Sequence, residues 1–275
     1  MILTVDIGNS YVKCAVVDGE RVIGGEQMET KRCESAVAVS DMIRRVTSTV
    51  LSIDRAILSS VVPRATVTIS RAIELQLGTG PMVVNCNMRL PFRLAVSDPS
   101  QVGADRLCAA AGAVGTKRRN AIVIDAGSAI TIDVVRDKEF RGGIIAAGPA
   151  IALGALHAYA SQLPAIDYSA SDAHFPKTFD TTRTAMALGA GLGSVGVIRE
   201  AVRFLEKAVG MSPRKYITGG FGGVLSSHLP ESWRFEPDLI RRGLYVIASI
   251  NRRQSDRDSK ARRTTNRQTE KPVTT

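Results

Sequence analysis

The chain has 275 residues, 44% of them hydrophobic and 23% charged, and carries a formal charge of +10. That composition belongs to ordinary globular proteins, with enough apolar residues for a core in one large domain or two smaller ones. It contains no run of about 18 or more consecutive apolar residues, so no membrane span is expected. The start MILTVDIGNS has no basic segment and carries Asp6 inside its apolar run, which argues against a secretory signal and for the cytoplasm.

In chain order, residues 1–17 are predicted as strand, turn, strand. ILTVDIG is apolar, Gly8-Asn9-Ser10 is a turn signal, and YVKCAVVDG alternates up to an Asp18-Gly19 hairpin turn. Residues 35–51 have helical spacing behind a Ser35 cap, 56–62 form a β-branched run stopped by Pro63, and 65–77 read as helix. A short strand follows over 82–86. Asp98-Pro99-Ser100 then opens a helix running to about Gly112, with Gly103-Ala104-Asp105-Arg106 inside it.

The next segment repeats the opening at an offset of 119 residues. Asp6 falls on Asp125, Gly8 on Gly127, Val16 on Val135 and Gly24 on Gly143. Both copies are an apolar strand ending in Asp-x-Gly, a small polar residue, an alternating strand and a hairpin. Such a duplication implies two similar α/β halves facing each other. Helices are predicted over 150–162, 181–209 and 238–250, the last behind Pro237, and one more strand over 216–220 ends in a glycine turn.

Residues 251–275 hold eight basic side chains against three acidic ones, half of the net charge, and almost no apolar ones. This segment is expected to be a disordered basic tail. Its Lys and Arg suit phosphate, but it lacks aromatics for base stacking, so a nucleic-acid partner is not expected. The four cysteines (Cys14, Cys33, Cys86, Cys108) have no knuckle spacing and read as small half-buried residues of a reducing compartment. His157, His174 and His228 lack the spacing of a zinc site.

No GxxxxGK[ST] occurs. The GxGxxG at 191–196 lies within a helical pattern with no strand before it, and Gly189 and Gly193 read as a close helix–helix approach, within the chain or between subunits. The Asp-x-Gly turns carry more. A glycine after a strand lets backbone approach a phosphate, and the N–H groups of Asn9 and Ser10 can donate to it. The adjacent carboxylate can hold magnesium directly or through water. Two such turns in register can grip a nucleoside triphosphate from both sides. Asp105 can accept a proton from a substrate hydroxyl and Arg106 can bind an acidic substrate, although a neighbouring Asp and Arg also read as a surface ion pair.

The ordered set DIGNS (6–10), SSVVP (59–63), DPSQVGADR (98–106), DAGSAITID (125–133), GGIIAAG (142–148), TTRTAMALG (181–189), TGG (218–220) and PDLIRRGL (237–244) resembles type III pantothenate kinases over residues 1–250. The resemblance implies an α/β fold of two duplicated ribonuclease H-like domains, the actin-like ATPase fold, with an interdomain nucleotide cleft. Its domains would be 1–117 and 118–250, followed by the tail 251–275. It implies phosphorylation of pantothenate to 4'-phosphopantothenate by ATP, the first step of coenzyme A biosynthesis, in a homodimer that needs Mg2+ or another divalent cation and K+ or NH4+. Carried over by motif, Asp6, Ile7, Gly8, Asn9, Ser10, Tyr11, Val12 and Lys13 form a phosphate loop with Asp6 linked to magnesium. Gly127 and Ser128 bind ATP, and Asp125 holds the monovalent cation. Gly103, Ala104, Asp105 and Arg106 form the pantothenate loop, with Asp105 the proton acceptor and Arg106 the ligand of the substrate carboxylate. Thr182 contacts pantothenate.

The chain departs from the family pattern at Ser10 and Ser128 (threonine), Thr181 (asparagine), Ala147 (proline) and Val96, where a pocket tyrosine is usual. These departures leave open an alternative, a non-catalytic ATP-binding relative with an accessory or regulatory role.

Overall fold

The apolar opening forms β1 (Ile2–Ile7), the alternating run forms β2 (Tyr11–Asp18), and a turn at Gly19, whose φ of +62° favours glycine, leads into β3 (Arg21–Glu29). The computed structural model describes residues 1–168 and 175–251. β4 (Arg55–Ser60) lies parallel to β1 on its other side, and β5 (Met82–Val83) parallel to β4, giving the order β3-β2-β1-β4-β5. Two helices cover this sheet: α1 (Ala36–Thr47), capped by the Ser35 hydroxyl, which accepts from Ala38 N at 3.3 Å, and α2 (Pro63–Leu77). They bury Val39, Met42, Ile43, Ile69 and Ile73 against Leu3, Val5 and Leu58.

The second sheet repeats the first. β7 (Ala121–Ala126), β8 (Ala129–Arg136), β9 (Glu139–Ala147), β10 (Lys215–Thr218) and β11 (Arg234–Phe235) run in the order β11-β10-β7-β8-β9, with the same strand directions. β6 (Arg93–Leu94) adds to the outer edge of β9. This is the duplicated ribonuclease H-like architecture of the actin-like ATPase fold. The central strands β1 and β7 are buried at every position except half-buried Asp6 and Asp125, as expected of strands covered on both faces. α4 (Pro149–Tyr159), α5 (Thr182–Val209) and the short α6 (Gly222–Ser226) complete this half, with Ile198, Val202 and Leu205 of α5 packed on Ile122, Ile132 and Ile217. α5 is long and apolar enough by composition to cross a membrane, yet 44% of its most apolar window is buried in the fold.

A mixed core joins the halves. α3 (Ala104–Val114) and α7 (239–251) pack with Ile2, Val17 and Ile57 from the first sheet and Ala121, Val123 and Val135 from the second. The two helices touch backbone to backbone: a Cβ on Gly112 would collide with the Leu239 carbonyl, and one on Gly243 with the Cys108 carbonyl. Glycine is required at both crossing points.

Several details differ from the sequence reading. α1 ends at Thr47 rather than at 51, because the hydroxyls of Thr47, Ser48 and Thr49 each donate to a carbonyl three residues back. The helix expected from Asp98 is a 3-10 turn over Pro99–Gln101, after Asp98 Oδ1 accepts from Ser100 N at 2.9 Å. The chain then extends at Val102, and α3 starts behind Gly103. The repeat also slips. Leu3 lies opposite Val16, whereas its counterpart Ile122 lies opposite Val134, so Val134 and not Val135 corresponds to Val16. The first turn holds one more residue than the second. Among the described residues nothing approaches Gly189 or Gly193, so the close helix approach expected there is not made by any described helix of the chain, while Gly191 sits against Phe175. Cys14, Cys33 and Cys108 are buried and Cys86 is half-buried, all as free thiols. The basic segment 252–275 and His174 lie outside the described residues.

Candidate active site

Each central strand ends in an Asp-x-Gly turn, and the turns face each other. Gly8 N donates to Tyr11 O at 3.0 Å, and Gly127 N to Ala129 O at 3.0 Å, closing two similar loops. Thr30 Oγ1 donates to Gly8 O at 2.7 Å and Gly148 N donates to Ser128 O at 2.9 Å, tying each turn to the residue that follows β3 or β9. The tips meet: Ser10 Oγ and Ser128 Oγ share a hydrogen bond at 3.0 Å. Beneath that contact opens a cavity of about 830 Å³.

Asp6, Gly8, Asn9, Ser10, Tyr11, Lys13, Asp105, Asp125, Gly127 and Ser128 all line this cavity. Ile7 and Val12 do not; they alternate away from it into the core beneath the first sheet. Gly103 caps α3, where a Cβ would collide with Asp105 Oδ1, and Ala104 is buried in the mixed core. Arg106 turns from the cavity toward β8 and clasps Asp133, with Nε donating to Oδ2 at 3.0 Å and Nη2 to Oδ1 at 2.5 Å. Val96 is half-buried, its methyl 3.5 Å from where a Cβ on Gly142 would sit. Thr182 is exposed at the start of α5, outside the cavity of its own chain. Thr181 caps that helix, its hydroxyl accepting from Thr184 N at 3.1 Å, a task the asparagine usual there could share.

A further wall of the cavity, beside the Asp125 turn, was not assigned from the sequence. Thr218 at the end of β10, Gly219 and Gly220 after it, and Asp238, Ile240 and Arg241 at the start of α7 form it. Gly219 has a φ of +89°, and a Cβ there would collide with Asp125 Oδ1 and the Ala126 backbone, so only glycine lets this loop close on the carboxylate.

The cavity is strongly acidic at its floor. Burial, then the Asp105 charge, push the Asp6 carboxyl up to about 6 against the opposing pull of Lys13 and Ser59. Burial, then Asp105 and Asp6, push Asp125 up to about 7. Burial also raises Asp105, while the Arg106 N–H and guanidinium lower it. A bound cation would relieve the repulsion among carboxylates forced together in this way. Among the described residues no three acidic, His or Cys side chains converge on one ion position. The donor set therefore suits a hard cation whose coordination is completed by phosphate oxygens and water.

A family model for type III pantothenate kinase matches residues 2–203. The chain is 30% identical over 253 residues to a type III pantothenate kinase of Agathobacter rectalis, covering 90% of this chain and 96% of that one. It is 34% identical over 263 residues to another of Rhodospirillum centenum, covering 91% and 99%. Among solved structures, a ROK hexokinase of Thermus thermophilus matches with a TM-score of 0.51 at 13% identity, over 92% of this chain and 99% of that one, a likeness of fold.

Proposed function

The chain belongs to the type III pantothenate kinase family, and on that premise we propose that the cavity beneath the Ser10–Ser128 contact is its catalytic centre. The enzyme phosphorylates pantothenate in coenzyme A biosynthesis, with ATP and a divalent cation as co-reactants. The observation that carries the site is the meeting of the two duplicated turns over the Asp6, Asp105 and Asp125 carboxylates.

In this reading two lobes, 1–117 and 118–250, hold ATP between them. The triphosphate lies against the turns at Gly8–Ser10 and Gly127–Ser128, where the N–H groups of Asn9, Ser10 and Ser128 donate to its oxygens while Lys13 supplies positive charge. Asp105 accepts the proton of the substrate's primary hydroxyl as its oxygen bonds the γ-phosphorus, the bond to the β–γ bridging oxygen breaks and ADP leaves. Asp6 would hold the divalent cation through its waters and Asp125 a monovalent cation, K+ or NH4+; the cations supply charge neutralisation on the transferring group. Asp105 and Arg106 are successive residues of a helix, so their side chains diverge by about 100°. That divergence suits a substrate with a hydroxyl at one end and a carboxylate at the other. Positioning and fixed charge carry the rate, because a loose phosphoryl transition state needs little covalent help. An ATP-dependent step of cofactor synthesis goes with a cytoplasmic location. An assay coupled to ADP release tests the reading: turnover requires pantothenate and rises about tenfold or more on replacing Na+ by K+. ADP release indifferent to pantothenate would refute it.

The same premise suggests a homodimer. Ile151, Leu156, Tyr159 and Leu192 are exposed on α4 and α5, beside a groove lined by Ala152, Ala155 and Gly189. An apolar face of this kind is suited to a second copy. Thr182 opens α5 and does not line its own chain's cavity, so in a dimer it would serve the partner's. Sedimentation should read the mass of two chains, and Ala155→Glu should yield monomers with a raised KM for pantothenate. Wild-type monomers with full activity would dismiss the dimer.

A further inference from the structure

Asp133, a carboxylate on β8, is almost fully buried, at 2% exposure. It lies opposite Gly143 of β9, where a Cβ would fall 2.7 Å from Asp133 Oδ1 and collide with the Ile132 carbonyl. The absent side chain at Gly143 therefore makes the room that the carboxylate occupies. Into that room reaches Arg106, lying over the Phe140 ring at 5.7 Å and donating to both Asp133 oxygens through Nε and Nη2.

A guanidinium has two edges suited to a carboxylate. The Nε–Nη2 edge is taken by Asp133; among the described residues no hydrogen bond engages Nη1, so the Nη1–Nη2 edge keeps its capacity. The Arg106 side chain is not sealed in the core but remains 15% exposed. A long cation held along one edge and supported from below by an aromatic ring loses little further freedom on binding.

We propose that Asp133 is a positioning residue that aims the free edge of Arg106 at the carboxylate of pantothenate, and so sets the enzyme's preference for an acidic substrate. The inference rests on the reading of Arg106 given above. Gly143 is part of the same device, and so is Phe140.

Steady-state kinetics of the full-length enzyme test it, with pantothenate and with its neutral alcohol analogue, in which CH2OH replaces the carboxylate. Asp133→Asn should raise KM for pantothenate about tenfold or more, keep kcat within about threefold, and leave KM for the alcohol within about twofold. A loss shared equally by both substrates overturns the proposal, as does an unchanged or lowered KM for pantothenate. Arg106→Gln is the reference. If it leaves KM for pantothenate unchanged, the reading of Arg106 falls and the proposal with it. If Arg106→Gln raises KM and a folded Asp133→Asn does not, only the role of Asp133 falls. Breaking one side of a buried ion pair can prevent folding. In that case the Arg106→Gln/Asp133→Asn double variant, which removes both charges, is set against Arg106→Gln. Equal KM values support the proposal, and a difference of about tenfold either way overturns it.

Discussion

Asp105→Asn is expected to lower kcat for pantothenate phosphorylation by about 10²-fold to 10⁴-fold, the range of general-base loss, while KM for ATP stays within about twofold. The reason lies in how the side chain is held. Asp105 sits in the first turn of α3, and its Oδ1 accepts the Arg106 N–H at 2.8 Å. That anchor leaves the other oxygen for the substrate hydroxyl. Asparagine has the same shape and can present its carbonyl to the same N–H, so the helix start is preserved and only proton acceptance is lost. Burial holds the Asp105 carboxyl above the ordinary carboxylate range, so wild-type activity should climb with pH through a limb displaced upward from 3.8. That limb should be missing from the residual activity of the variant. A coupled assay across pH, with calorimetry of ATP binding, reads all three quantities. Near-wild-type turnover would remove Asp105 from the chemistry.

The parts of this site that were legible in the sequence are those that local pattern encodes. β1 and β7 are short apolar runs ending in Asp-x-Gly, and their equivalence survives in the fold down to the half-buried aspartate in each. A fixed offset carried the comparison no further, because a one-residue difference in turn length moves every later match. With valine at both 134 and 135, nothing in the sequence exposed the slip. The false helix start at Asp98 has a similar origin. Asp, Pro and Ser suit a helix N-terminus and a 3-10 turn equally, and the choice is made by the extended conformation at Val102.

Partners distant in sequence were not legible. Arg106 and Asp133 are brought together only by packing α3 against the second sheet. Gly112 and Gly243 carry no mark of the helix crossing that requires them. The wall from Thr218 to Arg241 joins the cavity because β10 lies parallel beside β7, so its following loop emerges at the same end as the Asp125 turn. That is a consequence of topology, and α/β sheets place their ligands there for this reason.

The Asp125→Asn substitution should move stability and activity in opposite directions. The Asp125 carboxyl is raised from 3.8 to about 7, first by burial and then by Asp105 and Asp6. A folded-state value above the unfolded one means that the folded chain holds the proton more tightly. The stabilisation this gives is complete below about pH 3.8 and is lost as pH rises through about 7. At pH 8 the wild-type chain without cations thus keeps a buried negative charge among two others, and asparagine relieves it. Scanning calorimetry without cations should find the variant melting about 5 °C or more above wild type at pH 8, with the gap shrinking toward pH 5. Adding K+ should raise the melting temperature of the wild type more than that of the variant, because a bound cation cancels the same repulsion. Turnover should fall by about 10²-fold and lose its response to K+, since the carboxylate that strains the empty fold is the one that would hold the ion. A variant less stable than wild type at pH 8, or still stimulated by K+, would mean that Asp125 stabilises the empty cavity and that the monovalent cation is held elsewhere.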